Sequence, residues 1–283
     1  MYRKTFEDGL IASEGWGAQC DNIPGPWGDI YRGSVQVDSS TSFAGSRHGN
    51  FYMPTNTGTS RVGCGLIRSK YVRERTHEYF SQAVMFPAGF DARALNDPYR
   101  AVGVSQDYQY YGYPAGGNLP IMADHAYGSP DPAVTLVAHT GECKNMTCPM
   151  HSGLLSGGGY SSRGMPPGQD GPYVIIPPDK ITRGVWYQYL VHVYWSTNND
   201  GLVEAWYRPK GGSWIHSVTP KTGFPTLSWG QDANTGTWIS KESVDGRRSS
   251  AKFGYYNPNP LTAQTVHWDQ VCEATTFEAA ASC

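Results

Sequence analysis

Between Val185 and Arg208 the chain carries two runs of alternating residues separated by Asn199-Asp200-Gly201. In the first run Tyr187, Tyr189, Val191, Val193 and Trp195 fall on one side, and Gln188, Leu190, His192 and Tyr194 on the other. Period-two alternation is the signature of a β-strand, because successive side chains point to opposite faces. Asn-Asp-Gly supplies residues tolerant of positive φ where the chain must reverse, so the two runs predict a β-hairpin. A hairpin with so large an apolar face is not stable alone and must pack against another layer.

The remainder follows the same period. Val35 and Val37 alternate with polar neighbours, and Phe51–Met53 and Gly65–Arg68 are short extended segments. Glu78–Phe86 is a strand stopped by Pro87, Ala101–Tyr111 is rich in Val and Tyr, and Val134–His139 opens on a β-branched residue. Trp238–Ser240, Ala251–Tyr256 and Thr265–Cys272 complete a set of short strands. Helical periodicity is nearly absent, and Asp91–Asp97, between Gly89 and Pro98, is the best short helix. Glycine and proline fill 54 of the 283 positions, the turn content that many short strands need. The expected fold is all-β, a sandwich of two antiparallel sheets with few short helices. It forms a single domain over 1–283, with an irregular loop insertion at about 141–178 that contains LLSGGGYSSRGMPPGQDGP.

Charge excludes other classes. Twenty-two basic residues face 24 acidic ones, whereas a nucleic-acid-binding chain carries a basic surplus. No run approaches the length of a membrane-spanning helix. No GxGxxG fingerprint follows a strand, which argues against a dinucleotide enzyme. Six cysteines match no zinc spacing. Cys143 and Cys148 are either a local disulfide or two free thiols, and Asn145-Met-Thr147 between them forms a glycosylation sequon. The opening MYRKTFEDGLIAS has no apolar segment of the signal-peptide kind.

Three blocks, taken together, resemble the jelly-roll polysaccharide lyases, the group that includes heparin lyase I and glucuronan lyase. The first is Phe6-Glu-Asp-Gly9 with Trp16 and Gly45-Ser-Arg-His-Gly-Asn-Phe51, similar to the start of many concanavalin-like glycan-binding modules. The second is Tyr79–Pro87 followed by Val102–Tyr111, similar to a core strand and a glutamine-bearing strand. The third runs from Val185-Trp-Tyr to Trp206, through Lys252-Phe-Gly-Tyr-Tyr256, to Val266-His-Trp-Asp269. The chain departs from the family at Arg61-Val-Gly-Cys64, where an Arg-x-Glu strand is often found.

The resemblance implies a concanavalin-like β-jelly roll that binds a cell-surface polysaccharide, with cleavage by β-elimination as one reading and a non-catalytic binding or structural role as the other. Elimination must neutralise the uronate carboxylate, remove the C5 proton and protonate the leaving oxygen. An amide suits the first task, and His or Tyr suits the proton transfers. By resemblance Gln106 is the neutraliser, His48 the base, and Tyr256 or Tyr255 the acid, while Arg61 and Arg68 hold polymer carboxylates. Strict alternation along Gln106-Asp-Tyr108-Gln-Tyr110 makes Gln106, Tyr108 and Tyr110 a platform for sugar rings. Related sandwiches bind a structural calcium between their first and last strands, and Glu7 and Asp269 occupy the matching positions. The expected setting is extracellular or virion-borne, such as a phage minor tail protein, with a glycan and other virion proteins as partners.

Overall fold

The computed structural model describes residues 2–7, 17–19, 31–55, 61–70, 75–91, 102–110, 121–125, 131–138, 173–196, 200–224, 229–231, 238–240, 249–256 and 262–283. The strands of the first half are β1 (Tyr2–Lys4), β2 (Gly17–Gln19), β3 (Tyr31–Arg32), β4 (Ser34–Asp38), β5 (His48–Met53), β6 (Arg61–Lys70), β7 (His77–Met85), β8 (Val102–Tyr110) and β9 (Ile121–His125). Those of the second half are β10 (Val134–Ala138), β11 (Tyr173–Ile176), β12 (Trp186–Tyr194), β13 (Gly201–Pro209), β14 (Ile215–Phe224), β15 (Trp229–Gln231), β16 (Trp238–Ser240), β17 (Ser249–Tyr256) and β18 (Gln264–Ala274). One helix, α1 (Phe277–Ala281), closes the chain.

Two eight-stranded sheets form the sandwich of the jelly roll. The first runs β14-β13-β12-β7-β18-β5-β4, with β1 also on β18, and all its pairings are antiparallel. The second runs β11-β10-β9-β8-β17-β6-β2, with β3 lying parallel to β6. The expected hairpin is β12–β13, paired in unbroken register from Tyr187 opposite Pro209 to Tyr194 opposite Leu202.

The side of β12 that carries Tyr187, Tyr189, Val191 and Val193 is the core side. Tyr189, Val191, Val193 and Trp195 are fully buried there, packed with Phe51, Phe80, Val84 and Trp268 of the first sheet and Val134, Ile175 and Ile176 of the second. Tyr173–Ile176 corrects the expected insertion at 141–178. Near the end of that Gly- and Pro-rich stretch, Tyr173, Ile175 and Ile176 bury their side chains, and Tyr173, Val174 and Ile176 pair with β10, while 139–172 lie outside the described residues. The expected helix at 91–97 falls outside the described residues beyond Asp91.

The outer side of β12 is buried as well, from Trp186 through His192. Two segments roof it. Residues 39–47 cover one half, where Phe43 packs with Ala83, Met85 and Trp186. Helix α1 covers the other, packing with Leu190, Ala274, Tyr79, Trp206 and Trp214. A disulfide between Cys272 and Cys283 fastens α1 to β18. No helix among the described residues is long and apolar enough to cross a membrane.

Candidate functional site

The candidate residues divide between the two sheets. Gln106 on β8, Tyr255 and Tyr256 on β17, and Arg61 and Arg68 on β6 belong to three adjoining strands of the second sheet. His48, Glu7 and Asp269 belong to the first sheet or border it.

Backbone register orders the second-sheet set. Lys252 of β17 stands opposite Gln106 on one side and opposite Ile67 on the other. Pairing with β6 then runs without a slip to Tyr255 opposite Cys64 and Tyr256 opposite Gly63. With period two, Tyr256 is in phase with Lys252 and Gln106, whereas Tyr255 is out of phase. Arg61, two positions before Gly63, shares the phase of Tyr256. Arg68, opposite Ala251, does not. The register therefore separates two pairs that sequence left together, Tyr255 from Tyr256 and Arg68 from Arg61.

It also corrects the expected platform. Tyr110 stands opposite Ser249 and Gln109 opposite Ser250, but Gln106 stands opposite Lys252, with a register shift between. Two residues of β8, Asp107 and Tyr108, match one of β17, Ala251, an irregularity of the bulge kind that slips the alternation by one. Gln109, rather than Tyr110, falls in phase with Gln106, so Gln106, Tyr108 and Tyr110 do not form one regular row. Lys252 is the residue sequence reasoning passed over. Its signal was its place in Lys252-Phe-Gly-Tyr-Tyr256.

His48 does not join this group. It is fully buried on β5, its Nε2 lies 2.6 Å from Nδ1 of His267, and its ring meets Trp186 edge-on at 5.6 Å between centroids. Burial lowers the pKa of His48, and burial together with the neighbouring His48 brings His267 down to about 4. This enclosed imidazole belongs to the first sheet, apart from the strands that carry Gln106, Tyr256 and Arg61.

Glu7 and Asp269 do meet, through the loop that roofs His48. Glu7 Oε1 accepts the backbone N–H groups of Ser46 and Arg47 at 2.7 Å, and Oε2 accepts the Ser46 hydroxyl at 2.7 Å. The Ser46 hydroxyl is the largest influence holding the Glu7 pKa below its usual value. Asp269 Oδ2 accepts the N–H groups of Phe43 and Ala44 at 3.0 and 3.1 Å, and Oδ1 accepts that of Gln270 at 2.8 Å. Burial raises the Asp269 pKa to about 6 against these bonds.

The Phe6-Glu7 and Gly45–Phe51 motifs thus explain each other. Gly45 is left-handed, at φ +74°, and a Cβ there would lie 2.5 Å from Glu7 Oε1. A Cβ on Gly49 would lie 2.6 Å from the Phe6 ring and 2.7 Å from that of Phe51. Calcium asks for a shell of oxygen acceptors. These two carboxylates instead face N–H and O–H donors, which satisfy them as they stand, so the set does not fit a cation and acts as a clamp on the loop.

A further polar chain crosses the outer side of the first sheet. His77 Nδ1 lies 2.9 Å from His192 Nε2, His192 Nδ1 lies 2.8 Å from Glu204 Oε1, and His216 Nε2 lies 3.1 Å from Glu204 Oε2. Sequence placed His192 on that side with no hint of its partners, which come from three other strands.

No family model matches the chain, and no curated protein matches it. Solved structures do. The endo-β-1,4-glucuronan lyase from the fungus Trichoderma reesei superposes with a TM-score of 0.53 at 12% identity, covering 88% of this chain and 89% of that one. An alginate lyase from Aplysia kurodai reaches a TM-score of 0.47 at 9% identity, covering 86% and 87%. The cellulose induced protein Cip1 reaches 0.46 at 13%, covering 98% of each chain. The likeness to the glucuronan lyase is one of fold, and it extends over nearly the whole of both chains.

Proposed function

We propose that this protein binds an acidic, uronate-containing polysaccharide across β6, β17 and β8, and cleaves it by β-elimination. The observation that carries the reading is the shared register of Gln106, Lys252, Tyr256 and Arg61 on three neighbouring strands. The fold likeness to a glucuronan lyase supports the choice of substrate class. In this reading the Gln106 amide donates to the uronate carboxylate and stabilises the charge that develops as C5 loses its proton. Tyr256 handles the proton transfer. The C5–H and C4–O bonds break, a C4–C5 double bond forms, and the leaving oxygen takes up a proton. Lys252 and Arg61 hold carboxylates of the polymer. His48 has no part in it, for the reasons of burial given above. The virion setting is not carried into this reading, since no step depends on it.

The test is a panel of uronate polymers followed by the ultraviolet absorbance of the unsaturated product end. Product from the wild type and none from a folded Gln106→Ala variant is the expected result. Retention of the polymer with no product on any substrate would replace the enzyme by a binding module. The absence of both retention and product would overturn the proposal.

A further inference from the structure

Helix α1 lies on an unusual floor. Under an ordinary terminal helix the sheet is apolar, and Leu190 and Ala274 meet that description. Beside them, however, lies a polar row. Gln188 and Ser81 are fully buried, and the Gln188 amide donates to the Ser81 hydroxyl at 2.6 Å. The Arg208 guanidinium donates to Gln188 Oε1 from Nε and Nη2, at 2.9 and 2.6 Å, and from Nη2 to the Ala281 carbonyl at 3.0 Å. Arg208 also lies over the Trp214 ring, 4.5 Å from its centroid. Its hydrogen-bond partners among the described residues are neutral oxygens, and none is a carboxylate.

A partly buried guanidinium matches an anionic oxygen better than an amide, since charge-assisted bonds are roughly twice as strong as neutral ones. Phe277 meanwhile sets its ring edge-on to Trp206 and Trp214, with centroids 5.1 and 5.8 Å away. Indole walls, an amide and an arginine together are the chemistry that receives an acidic sugar, the rings against its apolar face and the guanidinium on its carboxylate.

We infer that residues 275–283 are a latched cover over a second saccharide site on the outer side of the first sheet, in which Ala281 O occupies the place of a uronate carboxylate oxygen and Phe277 that of a sugar ring. The Cys272–Cys283 disulfide is the latch. A dithiol reductant opens it by giving up two electrons and two protons, leaving two thiols here and a disulfide on the reductant. The site is independent of Gln106 and stands whether or not the elimination reading does.

The test uses the full chain with Cys272→Ser and Cys283→Ser together, which opens this latch and no other bond. Both the latched and the unlatched chain carry Gln106→Ala, which stops elimination, and tryptophan fluorescence is titrated with a glucuronate tetrasaccharide and, as control, a neutral glucose tetrasaccharide. The double variant is expected to bind the acidic sugar about tenfold more tightly than the wild type, the worth of one charge-assisted bond. Adding Arg208→Gln removes that gain, and the neutral sugar shows none. If the double variant does not fold, Phe277→Ala with the disulfide intact loosens the cover and gives a smaller gain of the same sign. Equal affinity in latched and unlatched chains overturns the inference. So does a gain that survives Arg208→Gln, or unchanged amide-exchange protection of 275–283 once the latch is opened.

Discussion

The two sheets employ their polar residues differently. In the first, polar groups hold the sheet and its roof together. Glu7 and Asp269 grip residues 43–47, and His48 and His267 face each other beneath that loop. In the second, Gln106, Lys252, Tyr256 and Arg61 stand at register positions of one phase on adjoining strands. Both groups look alike in sequence, as polar residues alternating with apolar ones. Where loop and helix cover a sheet, its polar residues must find partners inside the molecule, because an unpaired buried group costs the fold dearly.

Asp269→Ala strikes the grip on the roof of the first sheet. It leaves the N–H groups of Phe43, Ala44 and Gln270 without their acceptor in a buried place, and about 3 kcal/mol of stability should go with it. Chemical denaturation measures that loss. A cost under about 0.5 kcal/mol, as for an ordinary surface change, would mean that the clamp is not what holds the loop.

The buried histidine pair comes next. His267 has its pKa lowered to about 4, so the unfolded chain binds more protons than the folded one between about pH 6.5 and 4. Stability from this group is present above the unfolded value and is lost as pH falls through that window. Asp269, raised to about 6, acts in the opposite sense between about pH 4 and 6, where stability falls as pH rises. His267→Asn should therefore remove an acid-side loss of about 2 kcal/mol, discounted for partial exposure, and leave the opposing slope of Asp269 visible. Thermal melts from pH 4 to 7 check this, and an unchanged profile would contradict it.

The smallest expected effect is that of a chelator. Because donors, not acceptors, surround Glu7 and Asp269, chelation should shift Tm by less than about 1 °C. A fall of several degrees would restore the calcium reading of these two carboxylates.

Legibility followed the range of the interactions. The β12–β13 hairpin was readable because alternation and a turn sequence are local, and the two sides of β12 were separated residue by residue. The burial of Gln188, Leu190 and His192 on the other side was not, since the segments that roof them lie far away in sequence. Helix α1 has five residues, too few for a period to show. Its disulfide is one of the fifteen ways of pairing six cysteines. The β6, β8 and β17 strands were legible as strands, yet their mutual phase was not, because it depends on pairing register, and toward Tyr110 on a slip, that neither strand records by itself.

A pair of variants tests that phase directly. Tyr256→Phe and Tyr255→Phe make the same chemical change at adjacent positions of one strand. On a uronate polymer that the wild type cleaves, Tyr256→Phe should lower the rate about a hundredfold, the usual worth of a proton-transfer group, and Tyr255→Phe should leave it within about twofold. A loss at Tyr255 equal to or greater than that at Tyr256 would contradict the assignment of the site to the Gln106–Lys252–Tyr256 phase.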